Sequence, residues 1–193
     1  MISSKKLIKS ESNPKYFLVY CTLAGLLASI GISGLLFLVD VISQAPIGTF
    51  FAVIGVSLGY YDYNIAPYIG LVLHIATGTV AGNLLGQGVI LWNKLNLNNF
   101  RRGIVLGIIT GVSLWIILFL PLATFIIQPK LDSFYNSAPN QYVFQISQQF
   151  TGLYLLVTAG ALFFHIVYGA ILGFLAGRFV ELNTSKFTRT NQL

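Results

Sequence analysis

Hydrophobic positions along the chain gather into four long runs, near residues 16–41, 65–91, 104–127 and 153–179, with polar connections between them. A hydrocarbon core of ~30 Å takes about 20 helical residues to cross, and each run is long enough. The runs are continuously apolar and do not alternate with period two. That pattern predicts helices and not the strands of a barrel, since every backbone polar group in lipid must be satisfied internally. A fifth apolar stretch, 47–60, has only 14 residues. It is too short to cross and predicts a short re-entrant or interfacial helix on the outer side, with Pro46 in its first turn, where a missing N–H costs nothing. Residues 128–150 are rich in Gln and Asn and include Pro129 and Pro139. They read as an outer loop, either a partner surface or a solvated connection. The fold class expected is an all-α integral membrane protein with a single transmembrane domain over 16–181, between polar tails at 1–15 and 182–193.

Two of the runs carry one pattern. His74 is followed by Gly78, Gly82 and Gly86, and His165 by Gly169, Gly173 and Gly177, which is H-x3-G-x3-G-x3-G twice, 91 residues apart. A second phrase, P-[IL]-[GA]-T-F-[FI], begins at Pro46 and again at Pro121. Both point to two related halves, about 16–92 and 101–181. Each half holds two spans, so both halves enter from one side, and the repeats are parallel and not inverted. Small residues every fourth position let helix backbones approach closely in lipid, where packing drives association. The simplest arrangement joins the two stripes, span 2 against span 4. Span 3 adds Gly103, Gly107 and Gly111, and span 1 adds Gly25, Ser29 and Ser33.

Charge then sets orientation. Only 8% of the 193 residues are charged, and the net charge is +6. A soluble domain carries about 25% charged residues. Lys5, Lys6, Lys9, Lys15, Lys94, Arg101, Arg102, Arg178, Lys186 and Arg189 fall on one side of the predicted spans, and Lys130 alone falls on the other. By the positive-inside rule both termini are expected in the cytoplasm, in the cytoplasmic membrane. The basic residues then face anionic lipid headgroups, and nucleic-acid binding is not implied. The first run is expected to be a retained span, because it is longer than a signal-peptide core. Cys21, the one cysteine, reads as an inert core thiol.

Ionisable side chains inside a membrane are costly and mark function by default. Three roles are open for His74 and His165. Each neutral ring could be a polar core residue bonded to a carbonyl or to Tyr168, Thr77, Thr151 or Thr158. The pair could ligate a haem b, provided the glycines do not hold the two helices too close. They could also form a metal site or proton relay with Asp40, Asp62 or Asp132, although those carboxylates are expected at span ends or in loops, solvated. No G-x-S-x-G, H-E-x-x-H or phosphate-loop pattern is present.

The stretch His165-Ile166-Val167-Tyr168-Gly169-Ala170-Ile171-Leu172-Gly173, with Pro46-Ile47-Gly48-Thr49, resembles uncharacterised small four-span membrane proteins of archaea and bacteria. The resemblance implies the four-span fold and brings no activity and no site residues with it. The function expected is a non-catalytic accessory or structural subunit of a larger membrane complex, or a homo-oligomer. The alternatives are a bis-histidine haem b electron carrier and a small solute or ion permease. A permease needs a polar path, for which the spans offer little besides Asn83, Gln87 and the histidines.

Overall fold

The computed structural model describes residues 14–92, 95, 97 and 99–190. The expected cytoplasmic residues 1–13, Lys94 and residues 191–193 lie outside that range. All regular structure among the described residues is helical: α1 (Pro14–Ile42), α2 (Thr49–Ser57), α3 (Ala66–Leu91), α4 (Phe100–Leu114), α5 (Gln128–Ser137), α6 (Gln141–Gly152) and α7 (Tyr154–Thr190). Between α4 and α5 the helix continues as two π segments, Trp115–Phe119 and Ala123–Ile127, around one α turn. Among the described residues four helices are long and apolar enough to cross a membrane: Lys15–Ile42, Ala66–Leu91, Phe100–Tyr135 and Tyr154–Leu182. This is an all-α, multi-pass membrane fold.

The π segments answer to proline. Pro121 and Pro129 each lack the N–H that would bond four residues back, and each ring would strike that carbonyl. The carbonyls concerned belong to Ile117 and Phe125, one in each π segment. Widening the helix there relieves the clash and keeps it running.

Three expectations are corrected. The outer loop 128–150 is helical, forming α5 and most of α6. Its apolar positions Val143, Ile146 and Phe150 recur at helical spacing and are buried against Ala52, Val53 and Val56 of α2 and Leu131 and Phe134 of α5. Asn140 starts α6 by accepting from the Val143 N–H at 2.9 Å. The 182–193 tail is helical through Thr190, as a continuation of α7. Pro46 precedes α2 and does not begin it. Its carbonyl accepts the Thr49 N–H at 3.1 Å, and the helix starts after Gly48. Gly48 has φ +89°, a left-handed conformation that glycine adopts without penalty.

The glycine stripes are also arranged differently from the simplest expectation. They do not meet each other. The stripe of α3 faces α1: Gly82 sits on the backbone of Cys21 and Gly25, Gly78 on the Ser29 hydroxyl, and Gly86 on the Cys21 and Leu18 side chains. The stripe of α7 faces α4: Gly173 lies on Gly103, Gly169 on Gly107, and Gly177 on Phe100, while Gly111 of α4 meets the His165 carbonyl. A Cβ at Gly169 or Gly173 would overlap a backbone carbonyl of α4. The two pairs join mainly where α1 packs on α7, through Cys21, Ala24, Ala28, Leu172 and Ala176 and a Tyr20–Phe179 ring stack at 4.6 Å. Helices α3 and α4 have only slight contact.

Candidate functional site

Because the small residues of each stripe are spent within a pair, the two pairs can separate toward one end. There they leave a cavity of about 530 Å³. Its walls come from α1, α3, the π segments and α7, and α2 and α6 pack together over it. Tyr168 closes the inner end. Its hydroxyl donates to the Gly78 carbonyl at 2.6 Å and so ties α7 to α3. Gly78 and Tyr168 are one turn from His74 and His165 respectively, so the same bond sets both histidines at one level, above the tie.

Both histidines line the cavity. The His165 Nδ1 lies 2.7 Å from the Ala161 carbonyl. A carbonyl can only accept, so Nδ1 carries the proton in this bond, and the neutral ring keeps its lone pair on Nε2. Phe119 flanks this ring at 5.7 Å. Phe51 of α2 meets the His74 ring edge-on at 5.5 Å. None of the hydroxyls considered as partners bonds to either ring. Thr77 donates to Leu73, Thr158 to Tyr154, Thr151 to Asp132, and Tyr168 to Gly78. Of the six stripe glycines, Gly78 alone lines the cavity, and the other five are packing residues.

The three acidic candidates separate. Asp62 and Asp132 are exposed; Asp62 accepts the Asn64 N–H in its own turn, and Asp132 accepts from the Thr151 hydroxyl, linking α5 to α6. Asp40 is not the solvated span-end charge expected of it. It has 0% exposure and sits in the cavity wall. Its Oδ2 accepts the Gly48 N–H at 2.8 Å, and its Oδ1 is buried without a partner. The turn Pro46–Thr49 folds back over the end of α1 and covers the carboxylate. The sequence signal was an Asp eight residues before a glycine that can take a left-handed conformation, a pairing that becomes legible only once the turn is known.

Most of the remaining lining is aliphatic and aromatic, including Ile32, Leu36, Phe50, Leu118, Phe150 and Phe164; Ser29, Ser43, Thr49, Thr77 and Gln149 are its polar members, and no Lys or Arg lines the cavity among the described residues. Asn83 and Gln87 lie elsewhere. Asn83 donates to Thr22 at 2.9 Å and Gln87 to Asn83 at 2.6 Å, which joins them to the inner half of the α1–α3 pair. Among the described residues no group of three or more His, Cys, Asp or Glu side chains is placed to hold a metal ion.

At the end of the bundle that carries α2 and α6, Tyr142 of α6 meets Tyr63 edge-on at 5.3 Å. Its hydroxyl is buried without a partner, and burial, with Tyr63 and Asp62 nearby, pushes its pKa up to about 12. At the opposite end Arg101 and Arg178 both lie over the Phe100 ring, at 5.9 and 5.8 Å, so these two basic residues share one end of the molecule. Comparison with family models, with curated proteins and with solved structures finds no match to this chain.

Proposed function

We propose that this is a non-catalytic membrane subunit that holds one small, largely apolar molecule in the cavity between its helix pairs. The observation that carries the proposal is the cavity itself, about 530 Å³, apolar over most of its wall, with His74, His165, Tyr168 and Asp40 brought to it from three different spans. Binding sites for small molecules have this size and this make-up: an apolar lining with a few placed polar groups. The protein is read further as two parallel two-helix repeats with both termini in the cytoplasm. Arg101 and Arg178 at one end and the tyrosine-rich turn at the other support that orientation. Small extramembrane parts support a place in a larger assembly.

The test is native mass spectrometry of protein extracted gently from its own membrane. A bound small molecule is expected on the wild type and not on Gly160→Leu. Gly160 lines the cavity and a Cβ there meets nothing within 4 Å, so a larger side chain has room to begin there and is expected to take up cavity space. A folded wild type that carries no adduct, or the same adduct on both proteins, overturns the proposal. Larger subunits in the same preparation would support the accessory role, and a monomeric, partner-free particle would remove it.

One observation favours a second reading, haem b. The glycine contacts that would have pressed the two histidine-bearing helices together lie elsewhere, and His74 and His165 line one cavity. His74 and His165 would be the axial ligands, and the bound haem would supply one-electron transfer. The Ala161 carbonyl would fix the His165 ring as a ligand-orienting partner does. A reducible Soret band that disappears in His74→Ala and in His165→Ala is the expected result, and a colourless wild-type protein excludes the haem.

A further inference from the structure

Five hydroxyl groups line the cavity, and each donates its proton to a backbone carbonyl. Ser29 gives it to Gly25 at 2.8 Å, Ser43 to Asp40 at 3.1 Å and Thr49 to Pro46 at 2.6 Å. Thr77 gives it to Leu73 at 2.8 Å and Tyr168 to Gly78 at 2.6 Å. The His165 Nδ1 proton goes to Ala161. What these groups keep for an occupant is lone pairs. Asp40 adds the strongest acceptor. Its Oδ2 is held by Gly48 at the start of α2, where a helix N-terminus favours a negative group, and its Oδ1 is fully buried and unpartnered. A buried carboxylate oxygen without a donor is expensive, and no Lys or Arg of the cavity wall answers it. Among the side chains of the described lining residues, only the His74 ring and the Gln149 amide could offer a proton.

The wall is therefore rich in acceptors and poor in donors. From this we infer that the cavity selects an apolar molecule whose polar end is a hydrogen-bond donor, with a protonated amine preferred, and that it rejects carboxylates and phosphates. Asp40 is closed to a molecule the size of water in this structure, so an amine completes it only as the Pro46–Thr49 turn or a lining side chain yields, and the aromatic lining suits a cation beside it. This inference rests on the cavity being a binding site, and the test separates the two.

Octylamine, octanol and octanoate are titrated into the full chain in neutral phosphatidylcholine nanodiscs, with wild type, Gly160→Leu and Asp40→Asn compared. Wild type is expected to bind octylamine saturably and about tenfold or more tighter than octanol, with no saturable binding of octanoate. Asp40→Asn is expected to cut the amine's advantage over the alcohol by roughly tenfold to a hundredfold, because the charged donor loses more than the neutral one. Octanoate binding as tightly as octylamine overturns the inference, and so does an amine preference that Asp40→Asn leaves unchanged. If octanol binds to wild type and Gly160→Leu abolishes it, the cavity stands as a site whatever the amine does. If all three probes bind Gly160→Leu as they bind wild type, they are only dissolving in lipid and both readings fail. Should Asp40→Asn not fold, the order of the three probes on wild type decides alone.

Discussion

The α1–α3 contact and the α4–α7 contact use the same stripe against different surfaces. Along α4–α7 backbone lies on backbone at Gly103 with Gly173 and at Gly107 with Gly169. Along α1–α3 backbone also lies on backbone, at Gly82 with Gly25 and Cys21 and at Gly25 with the Gly78 carbonyl, but a Cβ at Gly78 or Gly86 would meet side chains, Ser29, Cys21 and Leu18. At Gly169 and Gly173 of α7 nothing can move aside, whereas at Gly78 and Gly86 of α3 a hydroxyl and a thiol can. The outer ends differ as well. His74 is backed by Phe51 of a separate short helix, and His165 by Phe119 of a π segment within a continuous span. Like stripes thus set like inner halves, while the outer halves reach similar histidine environments by different routes.

Substitution of the stripes is the strongest way to break the comparison. Gly107→Ala and Gly173→Ala are expected to destabilise the protein by about 3 kcal/mol or more, at or beyond the upper end for overpacking, because the added methyl strikes backbone. Gly78→Ala is expected to cost roughly 1 kcal/mol, since the obstacle is the Ser29 hydroxyl, and Ser29→Ala in the same chain should recover most of it. Denaturant unfolding in a fixed detergent gives these differences. Equal losses in the two pairs would show that the contacts are equivalent after all.

A smaller effect is expected at the tie between the pairs. Tyr168→Phe removes the bond to Gly78 and should cost about 0.5–1.5 kcal/mol. It should also loosen the inner end of the cavity, which hydrogen exchange at α3 would report. Unchanged exchange there would mean that the α1–α7 packing alone holds the pairs together.

The smallest effect is at the roof. Tyr142 is an acid whose folded pKa, about 12, lies above its unfolded value near 10. The unfolded chain therefore loses its proton first, so any stability tied to the neutral hydroxyl is fully present below pH 10 and falls as pH rises toward 12. Absorbance titration should show one late tyrosine fewer in Tyr142→Phe than in wild type, with less alkaline loss of stability. Identical titrations would place the Tyr142 hydroxyl in solvent.

Much of this fold was legible because hydrophobic length is a local property. Three of the four spans differ from their expected limits by at most three residues at each end, setting aside the continuation of α7. The third runs on, because Pro121 and Pro129 look like breakers and are accommodated by π turns instead. Residues 128–150 were misjudged on composition. Gln and Asn suggested a loop, while Val143, Ile146 and Phe150 already carried helical spacing under the polar surface. The histidines were found because an ionisable group in an apolar run stands out, whereas Asp40 at the end of its run did not.

By itself, then, the sequence determined that four helices cross, that each pair has small-residue seams, and that two rings sit one turn beyond those seams. Apolar run length and residue spacing are enough for such statements, since they follow from the geometry of a single helix. Which seam meets which was decided only by the tertiary structure, and with it whether the histidine-bearing helices are pressed together or parted. The same holds for the covering of Asp40 by the turn at Gly48 and for the direction of each cavity hydroxyl. These depend on contacts between residues far apart in the chain, and spacing along one helix carries no record of its partner.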